Sequence, residues 1–221
     1  MRLIWPQYLF FELFSLLLAI LFNKGLKKFK LSAFIPLLFV VCITEFIGSN
    51  LHYFGWKKNY LIYNCYIVVS YPIIYYAFER MLRFSNRTKM VYYGVGAIIS
   101  IFLLANFFFL QGEASFDTYS LILTELIFIL LSLVVLMDLF KDDDYTSMIY
   151  HHPYYWICSA TLIFGIGTLM VLGLQKIIVD HNLKIGGSYI YKNLLPGLSD
   201  VLYTGYSYAF FLCHRSIRKS R

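Results

Sequence analysis

The chain has 221 residues, of which 60% are hydrophobic, 20% aromatic and only 14% charged, and its mean hydropathy is +0.66. An ordinary soluble domain is less apolar and more charged, so a water-soluble globule is excluded and a membrane protein is expected. The net charge of +7 does not point to nucleic acid, because the basic residues lie between apolar runs, where membrane topology accounts for them.

Seven apolar windows follow one another, each long enough to cross ~30 Å of hydrocarbon at ~1.5 Å per residue. The first runs from Pro6 to Phe22 and carries Glu12; no small-residue cleavage site follows before Lys24, so a retained helix is expected rather than a signal peptide. The second, Leu31 to Gly48, holds Glu45 near its end. The third, Tyr60 to Phe78, contains Asn64 and a proline, Pro72, that is expected to kink it. The fourth, Val91 to Leu110, contains Asn106, and the fifth, Thr118 to Leu139, contains Glu125. The sixth runs from Tyr154 to Leu174. The seventh, Leu194 to Cys213, carries Asp200 and Tyr203, with Pro196 expected in its first turn. Loops this short leave no room for a separate soluble domain. The expectation is a single all-α, polytopic transmembrane domain over residues 1–221, a seven-helix bundle.

Orientation follows from the loops. Alternate connections carry thirteen of the nineteen lysines and arginines on one side, in the groups around Lys24–Lys30, Arg80–Lys89, Lys141 and Arg215–Arg221, and six on the other. The rule that basic loops stay cytoplasmic predicts the N-terminus out and the C-terminus in. The acidic run Lys141–Asp144 is expected to be a solvated turn, since a cation site needs ligands from several directions. Trp5, Trp56 and Trp156 fall near span boundaries, where amphipathic rings prefer to sit. Cys42, Cys65, Cys158 and Cys213 all lie inside spans without C-x-x-C spacing and read as small apolar packing residues.

The strong polar groups share one depth. Glu12, Glu125 and Asp200 lie ~9 to 10 Å below the outer ends of their spans, and Glu45, Asn64 and Asn106 lie ~5 to 6 Å below theirs. The inner halves hold mainly small hydroxyls. Polar neighbours recur at helical spacing: Tyr8, Glu12 and Ser15; Cys42, Glu45 and Ser49; Thr118, Glu125 and Ser132; Asp200, Tyr203, Thr204 and Ser207. An ionisable side chain in hydrocarbon costs several kcal/mol unless it turns inward. A polar chamber open toward the outer face is therefore expected, with Glu12, Glu45, Asn64, Asn106, Glu125, Asp200 and Tyr203 as candidates for ligand binding or proton relay.

Other chemistries find little footing. No lysine lies within the seventh span for a retinal Schiff base, and the five histidines divide between the two sides, which does not build a metal hydrolase. No G-x-S-x-G, H-E-x-x-H or phosphate-binding glycine loop occurs, so neither a catalytic residue nor a cofactor or metal is assigned. Trp5-Pro6, Phe11-Glu12-Leu13, Thr44-Glu45, Leu61-Ile-Tyr-Asn64 and Tyr155-Trp156-Ile157 together resemble an uncharacterised family of small bacterial seven-helix membrane proteins. The chain is also similar to multi-helix membrane sensing modules. The resemblance implies a bacterial inner-membrane protein and carries no catalytic assignment. The leading expectation is a receptor-like or sensor-like protein that binds a small ligand or lipid headgroup and communicates with a membrane or cytoplasmic partner. A carboxylate-dependent, proton-coupled transporter and an intramembrane lipid-modifying enzyme are the alternatives.

Overall fold

The computed structural model describes residues 4–56, 58–111, 115–141, 149–185 and 188–219. Helix follows helix: α1 (Gln7–Leu21), α2 (Asn23–Lys28), α3 (Phe34–Ser49), α4 (Tyr60–Met81), α5 (Asn86–Ala105), α6 (Thr118–Lys141), α7 (Pro153–Asp180) and α8 (Tyr191–Lys219). A π-turn, Asn106–Leu110, prolongs α5, and two short strands, β1 (Lys184–Ile185) and β2 (Ser188–Tyr189), pair antiparallel ahead of α8. Neither the short helix α2 nor this hairpin has a signal in the apolar pattern.

Around an apolar core, several helices bury their polar residues and expose apolar ones. On α1, Leu9, Glu12, Ser15 and Ala19 turn inward while Phe10, Phe14, Leu17 and Leu21 face out. On α6, Ser120, Glu125 and Ser132 are buried while Leu126, Leu130, Leu133 and Met137 are exposed. Such an exterior would be untenable in water and suits hydrocarbon. Four helices, Tyr60–Met81, Asn86–Leu110, Thr118–Lys141 and Pro153–Gln175, are long and apolar enough to cross a membrane. The apolar helices α1 and α3 are shorter, covering ~22 to 24 Å of the ~30 Å hydrocarbon core. Tyrosines, serines and Asp200 make α8 more polar than the other long helices.

Packing closes six helices into a ring, α1–α3–α4–α6–α7–α8 and back to α1, with α5 leaning against α4 from outside. The α4–α5 contact is a reciprocal tyrosine pair. The Tyr75 hydroxyl donates to the Tyr92 carbonyl at 2.8 Å, the Tyr92 hydroxyl donates to the Tyr75 carbonyl at 2.7 Å, and the rings stack at 4.0 Å. Gly96 makes the approach feasible, since a Cβ there would lie 2.4 Å from the Tyr75 ring. Between α7 and α8 the small pair Gly205 and Ala160 serves the same purpose.

Several helices outrun their apolar windows. The α5 helix starts at Asn86, before Val91, because the Ser85 hydroxyl accepts from the Thr88 amide and caps the first turn. The α7 helix continues to Asp180 and stops where Asn182 takes a left-handed conformation, φ 52°, with the Leu183 amide donating to the Ile178 carbonyl at 2.9 Å. The α8 helix begins at Tyr191, so Pro196 lies in its interior, not in its first turn. The amides of Asn193 and Leu194 both donate to the Ile190 carbonyl at 3.1 Å, which starts the helix directly from the hairpin.

Two ends of the bundle can be told apart. At one, the Ile4 amide and carbonyl bond the Asn50 side chain at 2.9 and 3.1 Å, and Asn64 holds residues 115–117. At the other, the Tyr154 hydroxyl donates to the Phe29 carbonyl at 2.7 Å, Phe22 stacks on His214, and Gly25 packs on the backbone of Cys213. Cys42, Cys158 and Cys213 are buried free thiols, whereas Cys65 faces out. Residues 142–144 of the acidic run lie outside the described residues.

Candidate functional site

The ring interior is where ionisable groups converge. Glu12 of α1 is 2% exposed and lies within electrostatic reach of Glu45 on α3 and Asp200 on α8. Glu12 thus faces, electrostatically, one carboxylate on each of two other helices, and no lysine or arginine is paired with the three among the described residues. Glu45 has the best-defined partner: the Tyr63 hydroxyl of α4 donates to its Oε2 at 2.9 Å, and the Tyr8 hydroxyl approaches from α1, 3.5 Å from Ser49 Oγ. Gly48 makes room for this contact, because a Cβ there would sit 2.8 Å from the Tyr63 hydroxyl. One oxygen each of Glu12 and Asp200, and the Ser15 hydroxyl, are buried without a hydrogen-bond partner. Buried polar atoms are rarely left so, which marks the cluster as a place where a proton or a polar ligand is expected.

Glu125 stands apart from this trio. It is 9% exposed and borders a cavity of about 70 Å³ enclosed by α3, α4, α6, α7 and α8. Tyr66, Thr161, Tyr203 and Tyr206 share the lining, with the Thr161 and Tyr206 hydroxyls 3.0 Å apart. Tyr66 lies within electrostatic reach of Glu125, Glu45 and Glu12, so it bridges the cavity and the acidic trio. Tyr203 likewise interacts with Glu12 and Glu45 while lining the cavity. Gly165 on α7 leaves space for the Glu125 carboxylate, whose Oε2 would lie 3.0 Å from a Cβ at that position. Tyr66 and Tyr203 therefore stand between the cavity and the carboxylates of Glu12 and Glu45.

Asn64 and Asn106 are placed elsewhere, in a knot that fixes the chain between α5 and α6. Asn64 donates to the Ser115 carbonyl at 2.9 Å and accepts from the Asp117 amide at 2.9 Å. The Asn106 amide group donates to Asp117, to Ser120 Oγ at 2.9 Å and to Gln111 Oε1 at 3.2 Å. Because α5 lies outside the ring, Asn106 reaches this loop and not the acidic trio. The Asp117 carboxylate immediately precedes α6, where the Ser120 hydroxyl and amide favour its charged form. Burial nevertheless pushes that carboxyl above the usual aspartate range, against the pull of the Ser120 and Asn106 hydrogen bonds. Thr204, on the expected polar face of the last span, is exposed.

Sequence reasoning missed the tyrosines of α4 and the second tyrosine of α8. Their signal was spacing: Tyr60, Tyr63 and Tyr66 recur every three residues, as do Tyr203 and Tyr206, and each repeat stays near one helical face. A half-buried ion pair at the opposite end was also missed, in which Lys89 Nζ lies 2.6 Å from Oε1 of the buried Glu79. No metal-binding group of three histidine, cysteine or carboxylate side chains occurs among the described residues.

The fold and the site define the class: a multi-helix membrane protein with an acidic, tyrosine-lined interior. No protein-family model, curated protein or solved structure matches the chain.

Proposed function

We propose that the protein is a receptor-like or sensor-like bacterial inner-membrane protein in which α1 and α3 to α8, seven helices in all, cross the bilayer, with the N-terminus outside and the C-terminus inside. It binds a small ligand in the polar interior formed by Glu12, Glu45, Asp200, Tyr203 and the Glu125 cavity. The observation that supports this reading is the buried Glu12, with carboxylates on two other helices within electrostatic reach and no cationic partner among the described residues. Retaining such a cluster against its desolvation cost points to function rather than packing. Ligand binding in a ring of six helices would be passed on through its different affinity for two arrangements of that ring.

A transporter is the second reading, and one observation favours it: the buried hydroxyls of Ser132 and Ser207, without partners, continue the polar line from Glu125 and Asp200 toward the basic end. Purified protein in liposomes separates the two. A receptor gives no proton-gradient-driven solute flux, whereas a transporter gives flux that Glu12→Gln or Asp200→Asn abolishes.

A further inference from the structure

The interior cavity has a chemistry of its own. Glu125 supplies the only carboxyl group in its lining, and among the described residues no hydrogen bond or ion pair holds that group. The nearby hydroxyls are largely committed. Thr161 donates to the Ile157 carbonyl at 2.8 Å and pairs with Tyr206 at 3.0 Å, Thr124 donates to the Leu121 carbonyl at 3.0 Å, and Ser70 turns to the Ile67 carbonyl at 3.4 Å. A metal ion entering here would meet one carboxylate and, beyond it, only the phenol hydroxyls of Tyr66 and Tyr203, too few oxygens to replace its hydration shell. The remaining wall is aromatic and aliphatic, with Tyr66, Tyr203, Tyr206, Phe128 and Phe164 supplying rings.

A buried carboxyl group beside aromatic rings has the recognition chemistry for an organic cation. The carboxylate takes the N–H donors and neutralises the charge, ring faces attract the cation, and apolar walls cover its carbon body. Size sets a second limit, since about 70 Å³ suits only a molecule of a few heavy atoms.

We infer that the Glu125 cavity is a binding site for a small primary alkylammonium ion, held by the Glu125 carboxylate against the tyrosine and phenylalanine rings. The assignment rests on the ligand-binding reading above and specifies its ligand class.

The test is thermal melting of the purified full-length protein in detergent, titrated with methyl-, ethyl- and propylammonium chloride, the alcohols of matching size, and sodium chloride at equal ionic strength. The expected result is a saturable rise in melting temperature with the ammonium ions only. In Glu125→Gln the apparent affinity falls by about tenfold or more, since the counter-charge is lost. Glu125→Asp keeps the ammonium preference with weaker binding and supplies the readout if the glutamine variant does not fold. Asp138→Asn removes an exposed carboxylate elsewhere on α6 and must keep the full rise. Equal rises with the alcohols, an ammonium effect unchanged in both Glu125 variants, or an equal loss in Asp138→Asn overturns the ammonium assignment while leaving a ligand-binding interior standing. No rise with any probe, together with no small-molecule adduct on the protein by native mass spectrometry, overturns both.

Discussion

At the scale of single residues, the interior is held by hydrogen bonds whose loss has a definite sign. Removing the Tyr63 hydroxyl leaves Glu45 Oε2 without its 2.9 Å donor. Tyr63→Phe should therefore lower stability by about 1 to 3 kcal/mol, read as melting temperature in detergent. Asn64→Ala should act similarly through the loop knot, but without changing any ligand response, because Asn64 bonds Ser115 and Asp117 and not the acidic trio. Asp117 adds a pH dependence. Its carboxyl is raised by burial, so the folded state holds the proton to higher pH than the unfolded chain. This contribution makes stability rise as pH falls through the folded value toward the ordinary aspartate value of about 4, and saturate below it. Asp117→Asn, which keeps a side-chain acceptor ahead of α6, should flatten that acid-side rise in a series of melting curves. The carboxylates were legible in the sequence because charge is rare within an apolar run. Their partners were not, since a tyrosine in a span reads equally well as an interface residue and as a donor.

Among the elements, glycine decides which helices come close. A Cβ on Gly205 would lie 2.6 Å from Ala160 Cβ, where α7 meets α8, whereas a Cβ on Gly173 meets nothing within 4 Å. Gly205→Val should cost about 1 to 3 kcal/mol by forcing the helices apart. Gly173→Ala should be neutral or stabilising by up to about 1 kcal/mol. Chemical or thermal denaturation of the pair checks the contrast. Helix existence was readable from apolar length, and each of the seven windows coincides with a helix. Helix ends were not, because they depend on caps such as Ser85 and on the hairpin that launches α8, neither of which alters hydropathy. The position of α5 outside the ring was equally hidden: its apolar pattern resembles that of its neighbours, and it is the Tyr75–Tyr92 pair, Gly96 and the Lys89–Glu79 ion pair that fix it against α4.

For the whole molecule, the two ends of the bundle carry the topology. The proposed orientation puts Ser115 outside and His151 inside, both of them exposed. In a cysteine-free background, an impermeant thiol reagent applied to intact cells should label Ser115→Cys and spare His151→Cys; the opposite pattern reverses the orientation. The sequence positions Gly112 and Asp143, central to the same two loops, lie outside the described residues. That strong polar groups recur at similar distances from one end of each apolar window was readable by counting along the sequence. Their division into an acidic trio, a Glu125 cavity and a loop knot was not, because it depends on which helices become neighbours.

The proposed function makes Glu12, Glu45 and Asp200 part of a ligand-binding interior and not merely structural groups. Native mass spectrometry of the protein released from detergent, wild type beside Glu12→Gln and Asp200→Asn, tests it most directly. The account predicts a small-molecule adduct on the wild type that is lost from both variants while each still melts cooperatively. An adduct retained unchanged in both variants, or a wild type that carries bound phospholipid but no smaller ligand, would contradict it.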